Sequence, residues 1–190
     1  AVIQAVVGFT FHRGCLAVGE RRADVEPAAL HGGRLLVVLE RLSNPDNVGG
    51  VFRNAMAFGA DGVILGPGCA DPLYRRAIRV SIGATVAVPF VYATDWPAAL
   101  GRLREAGFTL VALTPGPGAI DLAAFAARQP QPARLALLLG AEGPGLSAAA
   151  RLAADVTVGI AMVPGVDSLN AATASGIALH RLAAAGRAAS

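Results

Sequence analysis

Short apolar runs alternate with longer amphipathic stretches along most of the chain. "RLLVVLE" (34–40) and "DGVILG" (61–66) are apolar runs of strand length, and residues 47–59 between them follow a helical pattern. Further strand-like runs occupy residues 108–115, 134–140 and 154–160. Because a strand, a helix and a second strand in succession form a β-α-β unit, the pattern predicts an α/β fold with a buried parallel sheet.

Two longer helices are predicted between and after these strands. Residues 94–107 have a Thr or Asp available as cap, Pro97 in the first turn and a closing Gly107. A long final helix is predicted from about residue 168 to residue 185. Their lengths suit the packing of helices against the faces of a sheet.

Two segments give a less regular pattern. Residues 71–83 predict a helix, although Val80 and Ile82 are also suited to begin a strand. Residues 115–134 are rich in Pro and Gly and predict an irregular loop that contains a short helix.

Composition places the chain among globular proteins. With 190 residues, 54% of them hydrophobic, it can bury a large core as one domain, which excludes a disordered chain. The net charge is +3 and the sequence contains no lysine, so every basic residue other than histidine is an arginine. This charge is compatible with a polyanionic partner and equally with a mildly basic surface that binds no nucleic acid.

Cysteine spacing and hydropathy exclude several other classes. Cys15 and Cys69 are far apart and form no zinc-binding or disulfide pattern, which predicts a reduced, cytoplasmic protein without a metal. No apolar run reaches the roughly 18 residues that a membrane span needs, so no membrane association is predicted.

A first stretch that the fold alone does not explain is "LSNPDNVGGVFRNAMAFG" (42–59). Asn44 and Asn47 are capping residues at the start of a helix, where free backbone N–H groups can bind an anion. Arg53 lies well off the apolar stripe of that helix. One interpretation is that Asn47 holds Arg53 and aims it at a phosphate or ribose; the other is a solvent-exposed helix arginine.

A second stretch, "LLLGAEGPGLS" (137–147), is a buried strand that ends in Gly140, the lone acid Glu142 and Ser147. Glycines at the carboxyl end of a parallel strand let the backbone approach a ligand closely. The alternative is a glycine-rich turn in which Ser147 merely caps the following helix.

A third stretch, residues 158–182, runs from a strand through a Pro-Gly loop into the final helix. Asp167 or Ser168 is the predicted helix cap, with Asn170 in the first turn. The alternative is that Ser168 caps the helix while Asn170 is only solvated. Ala172, Ser175 and Gly176 give that helix a surface of small residues, which we expect to be able to pack on a partner subunit.

The order and spacing of the three stretches resemble the three motifs of the SpoU/TrmH group of RNA ribose 2′-O-methyltransferases, within the SPOUT superfamily. The resemblance covers about residues 34–185. The motif residues matched here are Asn44, Asn47, Gly49, Arg53, Phe58 and Gly59, then Gly140, Glu142, Gly143, Gly145, Leu146 and Ser147, and finally Ser168, Leu169 and Asn170. In one departure, Ala161 stands where the family usually has a proline.

The resemblance implies a parallel-sheet SPOUT fold with a C-terminal trefoil knot that binds S-adenosyl-L-methionine. It implies that residues 34–190 are the methyltransferase domain and that residues 1–33 are a linker or the remnant of an N-terminal RNA-binding domain. It also implies a homodimer whose active site is completed across the interface. The cofactor-binding residues that the resemblance implies are Thr114, Gly140, Ile160, Met162 and Leu169.

The implied reaction is methyl transfer to a ribose 2′-hydroxyl in rRNA or tRNA, with no metal. In this hypothesis Arg53, oriented by Asn47, holds the target phosphate and ribose and stabilises the alkoxide, because arginine is a poor base. Ser168 and Asn170 position the same group, and Glu142 orders the loop or contacts the second subunit. The alternatives are a non-catalytic RNA-binding SPOUT domain and a base-nitrogen RNA methyltransferase, with a nucleotide-dependent oxidoreductase a distant third.

Overall fold

Seven parallel strands organise the chain in the computed structural model, which describes residues 18–21, 26–116, 118–129, 133–163 and 165–187. The strand order across the sheet is β3-β2-β1-β6-β4-β7-β5, and each neighbouring pair runs parallel. The strands are β1 Leu35–Leu39, β2 Gly62–Leu65, β3 Phe90–Tyr92, β4 Thr109–Leu113, β5 Ile120–Asp121, β6 Leu135–Leu139 and β7 Val156–Gly159.

Helices and short turns connect these strands. The helices are α1 Pro45–Phe58, α2 Arg75–Val80, α3 Ala84–Ala87, α4 Ala98–Glu105, α5 Leu122–Ala127, α6 Ala148–Ala153 and α7 Ala171–Arg187, and a single 3₁₀ turn spans Pro27–Leu30. Parallel strands require crossover connections of this kind, so the α/β fold with a parallel sheet is confirmed.

The core has two layers because alternate residues of each strand point to opposite faces of the sheet. On one face Val37 and Leu39 pack with Phe52 of α1 and Leu179 of α7. On the other, residues such as Leu36 pack against α4 and α6. Every residue of β6 is buried, which is typical of the centre of a parallel sheet.

The five strands predicted from apolar runs are confirmed as β1, β2, β4, β6 and β7. The edge strands β3 and β5 were not predicted, because they contain only three and two residues. In residues 71–83 the chain forms α2 and then a turn, so the suggestion of a strand starting at Val80 or Ile82 is wrong. Ile82 has a left-handed backbone with φ of 54°, which no strand accommodates.

The predicted helix at residues 94–107 forms, but its cap differs from the expectation. Pro97 occupies the N-cap position and α4 begins at Ala98, without a side-chain cap. The carboxylate of Asp95 instead accepts a hydrogen bond from Arg102 Nη1 at 2.9 Å. The Thr or Asp cap is therefore wrong, since the helix starts later than the sequence pattern suggested.

The small-residue face of α7 packs inside this chain. Asn54 of α1 donates hydrogen bonds through Nδ2 to the carbonyl of Ala172 at 2.7 Å and to Ser175 Oγ at 2.9 Å. A Cβ added at Gly50 would lie 2.5 Å from the Cβ of Ala172. The expectation that this face packs on a partner is therefore wrong: close approach of α1 already covers it.

Most of the predicted N-terminal segment, including Cys15, lies outside the described residues. Arg21, within the described part, donates from Nη1 to Asp71 Oδ2 at 2.6 Å and from Nη2 to the hydroxyl of Tyr92 at 3.0 Å. Partial burial alone raises the pKa of Asp71, but hydrogen bonds from the Leu73 amide and from Arg21 outweigh it and hold the pKa below its usual range. These contacts join residue 21 to the β3 edge of the sheet.

Candidate active site

A cavity of about 630 Å³ lies at the carboxyl ends of β4, β6 and β7, three neighbouring strands. Ligand sites of parallel α/β sheets form at this edge, where the loops after adjacent strands meet. The cavity is lined by residues 113–115, 139–145, 160, 162 and 167–171 among others. All five predicted cofactor-binding residues are in this lining: Thr114, Gly140, Ile160, Met162 and Leu169.

The loop after β6 is folded tightly on itself. A Cβ at Gly140 would lie 2.2 Å from the carbonyl carbon of Gly145 and from the nitrogen of Leu146, so only glycine fits there. Gly145 N–H donates to the carbonyl of Ala141 at 2.9 Å. Ser147 then caps α6, accepting at Oγ from the Ala150 amide at 3.1 Å, as the alternative interpretation of this stretch expected.

A polar network joins all three motifs. Asn47 Nδ2 donates to Glu142 Oε1, and Asn170 Nδ2 donates to Asn47 Oδ1 at 2.8 Å. Asn170 Nδ2 also lies 3.3 Å from Glu142 Oε1. Asn47 is only 4% exposed, whereas Glu142 and Asn170 are exposed, so the network links a buried residue of α1 to the two cavity loops.

Asn170, and not Asp167 or Ser168, caps the final helix. Its Oδ1 accepts from the amides of Ala172 at 3.0 Å and Thr173 at 3.2 Å, and α7 begins at residue 171. The prediction of a cap at 167 or 168 is wrong because the loop extends three residues further than the pattern indicated. Ser168 lies in the cavity lining and is exposed.

Arg53 is set apart from this network. It is exposed on α1, it does not line the cavity, and within the described residues Asn47 bonds to Glu142 and Asn170 and not to Arg53. Asp46, two turns earlier on the same side of α1, pairs with Arg76 through two contacts of 2.5 Å. That hydrogen-bonded pair raises the pKa of Arg76.

Two charged residues near the cavity were missed from the sequence. Arg151 of α6 lines the cavity, one turn after Ser147. Glu40 lies at the end of β1, is 1% exposed, and contacts the loop that ends at Ser147. A charged residue directly after a buried strand was a usable signal for Glu40, whereas the pattern of α6 resembled that of any short surface helix.

Neither a nucleophilic thiol nor a metal cluster is found in the described part of the chain. Burial raises the pKa of the Cys69 thiol, which keeps it protonated near neutral pH. No group of three or more His, Cys, Asp or Glu side chains is placed to hold a metal within those same residues. Among the described helices, none is both long and apolar enough to cross a membrane.

The model of the SpoU rRNA Methylase family matches residues 34–180. The chain belongs to this family. The match spans the sheet, all three motifs and most of α7, so the SpoU family assignment rests on the same residues that build the cavity.

Relatives and solved structures agree with the SpoU assignment. A tRNA/rRNA methyltransferase of uncharacterized function from Mycobacterium bovis is 48% identical over 181 residues, covering 94% of this chain and 62% of that protein. The 23S rRNA (guanosine-2′-O-)-methyltransferase RlmB of Vibrio vulnificus is 34% identical, covering 80% and 59%. The SpoU methyltransferase AviRb of Streptomyces viridochromogenes, solved with AdoMet, superposes with a TM-score of 0.69 at 31% identity, covering 78% and 59%. The chain thus spans about three fifths of the length of these relatives.

Proposed function

We propose that this chain is the methyltransferase domain of an enzyme that transfers a methyl group from S-adenosyl-L-methionine to a ribose 2′-hydroxyl in rRNA or tRNA. The observation that carries the proposal is the cavity, because two motif loops of a SpoU family member line it together with the loop after β4. AviRb has been solved with the same cofactor, and RlmB is named for guanosine 2′-O-methylation of 23S rRNA. Residues 34–190 form this domain in the proposal, and residues 1–33 are a linker or the remnant of an N-terminal RNA-binding domain.

The cavity fits the cofactor in size and chemistry. Its volume of about 630 Å³ lies within the usual range of small-molecule sites. Ile160, Met162 and Leu169 offer apolar surface to the adenosine. Among the described residues, the backbone N–H groups of Gly140, Ile160 and Leu169 donate to no protein acceptor, which leaves them free for adenine or ribose atoms.

Two further side chains complete the proposed cofactor site. The hydroxyl of Thr114 lies at the rim, where it makes only a long contact of 3.4 Å to the Pro115 carbonyl. Arg151 brings a positive charge to the lining, which suits the carboxylate of the methionine part. Ala161 replaces the family proline at an exposed position, and its neighbours Ile160 and Met162 still line the cavity.

The proposed mechanism depends on positioning and charge. The bound cofactor supplies a methyl group activated by its sulfonium. A ribose hydroxyl is a weak nucleophile, so the protein must align it with the methyl group and stabilise the developing alkoxide. Arg53 does so through its guanidinium while it holds the adjacent phosphate, and Ser168 with Asn170 orients the ribose. Glu142 orders the loop through its contacts with Asn47 and Asn170.

A homodimer is part of the proposal. Arg53 is exposed and does not line the cavity of its own chain, which favours a site completed by the Arg53 of a second copy. Met56, one turn along α1 from Arg53, and Ile177 of α7 are also exposed and offer apolar surface for such a contact. Asn47 then acts by ordering the cofactor loop and not by holding Arg53 directly. We also propose a cytoplasmic location for the enzyme, which is compatible with an rRNA or tRNA substrate.

The test of this proposal begins with isothermal titration of the purified chain with S-adenosylmethionine and S-adenosylhomocysteine. We expect both to bind with micromolar dissociation constants. Labelled methyl transfer to rRNA and tRNA, followed by alkaline hydrolysis, then identifies the target atom. A 2′-O-methyl group blocks cleavage at its phosphodiester and leaves an alkali-resistant dinucleotide, whereas base methylation leaves a labelled mononucleotide. Failure of the folded chain to bind either ligand contradicts the proposal and favours a non-catalytic RNA-binding domain.

A further inference from the structure

Glu40 is a buried carboxylate directly beneath the loop that follows β6. Its Oε1 accepts from the indole Nε1 of Trp96 at 2.8 Å, and its Oε2 accepts from the backbone amide of Ser147 at 2.7 Å. Its own amide donates to the carbonyl of Leu139 at 2.9 Å. These contacts lie at the carboxyl edge of the sheet, where β1 and β6 meet the segment that follows β3.

The two N–H donors each require an acceptor oxygen at this position. A buried carboxylate is tolerated when each oxygen is hydrogen-bonded, and removing a partner leaves an uncompensated polar group. A glutamine has only one oxygen, so its amide nitrogen would face an N–H group that also donates. Glu40 takes no part in the network of Asn47, Glu142 and Asn170, which makes its role separate from theirs.

The loop from Gly140 to Ser147 is held at both ends. At its start, Gly140 packs directly on Gly145, with no space for a Cβ. At its end, Glu40 fixes the amide of Ser147, the residue whose side chain caps α6. The stretch between them contains Glu142 and contributes much of the cavity lining. A change at Glu40 therefore acts on the cavity without touching anything bound there.

We propose that Glu40 is a positioning residue that holds this loop in its cofactor-binding conformation, and that Trp96, the single tryptophan of the chain, reports the state of the loop. The inference rests on the proposed function, because it assigns the cavity to S-adenosylmethionine. Glu40 itself lines no part of the cavity.

The first measurement is the affinity of Glu40→Gln for S-adenosylhomocysteine. We expect the dissociation constant to rise about tenfold or more, the usual consequence of one unsatisfied buried donor. In the wild-type protein we expect the ligand to change the emission of Trp96. An unchanged dissociation constant in Glu40→Gln, or a Trp96 emission that does not respond to the ligand, would overturn the proposal.

Asp155→Asn is the matched control. Asp155 also accepts from a backbone amide, that of Leu110, at 2.8 Å, but it does so at the amino ends of the strands, away from the cavity. It also pairs with Arg104 at 2.9 Å. We expect this variant to lose some thermal stability and to bind the ligand as the wild type does. Equal weakening of binding in both variants would show a general loss of stability and overturn a role specific to Glu40.

Hydrogen exchange of the ligand-free protein separates this inference from the proposed function. We expect Glu40→Gln to accelerate exchange of the Ser147 amide and its neighbours in residues 141–147, and Asp155→Asn to leave them unchanged. If the wild type binds no S-adenosylhomocysteine, the proposed function fails, and the exchange result still decides whether Glu40 orders the loop. Unaltered exchange in Glu40→Gln would overturn the inference.

Discussion

Arg151 is the one arginine in the cavity lining of the described chain, and its charge has a specific use in the proposed site. We predict that Arg151→Gln weakens binding of S-adenosylhomocysteine by about tenfold, because a charge-assisted hydrogen bond to the ligand carboxylate is lost. Methylthioadenosine has no carboxylate, so its affinity should change less than about twofold. Calorimetric titration with both ligands measures the difference.

Arg128→Gln provides the control for that comparison. Arg128 is exposed just after α5 and does not line the cavity, so its loss should leave both affinities unchanged. If Arg151→Gln weakened the binding of both ligands equally, Arg151 would act on the shape of the cavity or on the adenosine. If Arg151→Gln left the affinity for both ligands unchanged, Arg151 would play no part in cofactor binding.

At the residue scale, the motifs correctly predicted which side chains come together. They did not predict which side chain bonds to which. Asn47, Glu142 and Asn170 were all proposed, and the structure brings them into one network. Asn47 was expected to hold Arg53, but it is directed inward, since the amides of Asn47 and Asn170 both satisfy the Glu142 carboxylate. Such pairing depends on the packing of α1 against two distant loops, which no local pattern contains.

At the element scale, glycines determine how closely two helices can pack. Gly49 of α1 faces α2, where an added Cβ would lie 2.6 Å from the carbonyl oxygen of Ala77. We predict that Gly49→Ala lowers the free energy of unfolding by about 1–3 kcal/mol, since the two helices must separate. Urea denaturation followed by circular dichroism measures this change.

For Gly101→Ala we expect the opposite change in the free energy of unfolding, measured in the same experiment. Gly101 lies in α4 with nothing within 4 Å of an added Cβ, so Gly101→Ala should raise the free energy of unfolding by about 0.5–1 kcal/mol through helix propensity alone. A stabilised Gly49→Ala protein would contradict the close packing of α1 on α2. The two substitutions are chemically identical, so they differ only in their surroundings.

The elements themselves were largely predictable, and the exceptions have physical causes. Central strands such as β6 are apolar throughout and stand out from the helices around them. The edge strands β3 and β5 are too short to show a period, and they exist because β2 and β7 offer them hydrogen bonds. The start of α7 was placed early because Ser168 and Asn170 are both good caps, and only the tertiary contact of Asn170 with Asn47 decides between them.

At the scale of the whole molecule, the separation of Arg53 from its own cavity leads to a test of the proposed homodimer. Arg53→Lys keeps the charge but lacks the planar guanidinium, and Asn170→Ala disrupts the cavity network, so each variant alone should be nearly inactive. Random pairing of the two variants yields heterodimers as about half of all dimers, and one of the two sites in each contains both intact residues. Co-refolded mixtures should then recover about a quarter of the wild-type methyl transfer to RNA.

Recovery requires that Arg53 of one copy serves the cavity of the other. If Arg53 acted on the cavity of its own chain, every site in the heterodimer would contain one substitution, either Arg53→Lys or Asn170→Ala. The mixture would then stay as inactive as its components. A mixture of two differently tagged Arg53→Lys chains is the control and should stay inactive. Sedimentation of the wild type as a monomer, or a mixture no more active than its components, would contradict the dimeric site, since the exposed Arg53 would then need another route to the substrate.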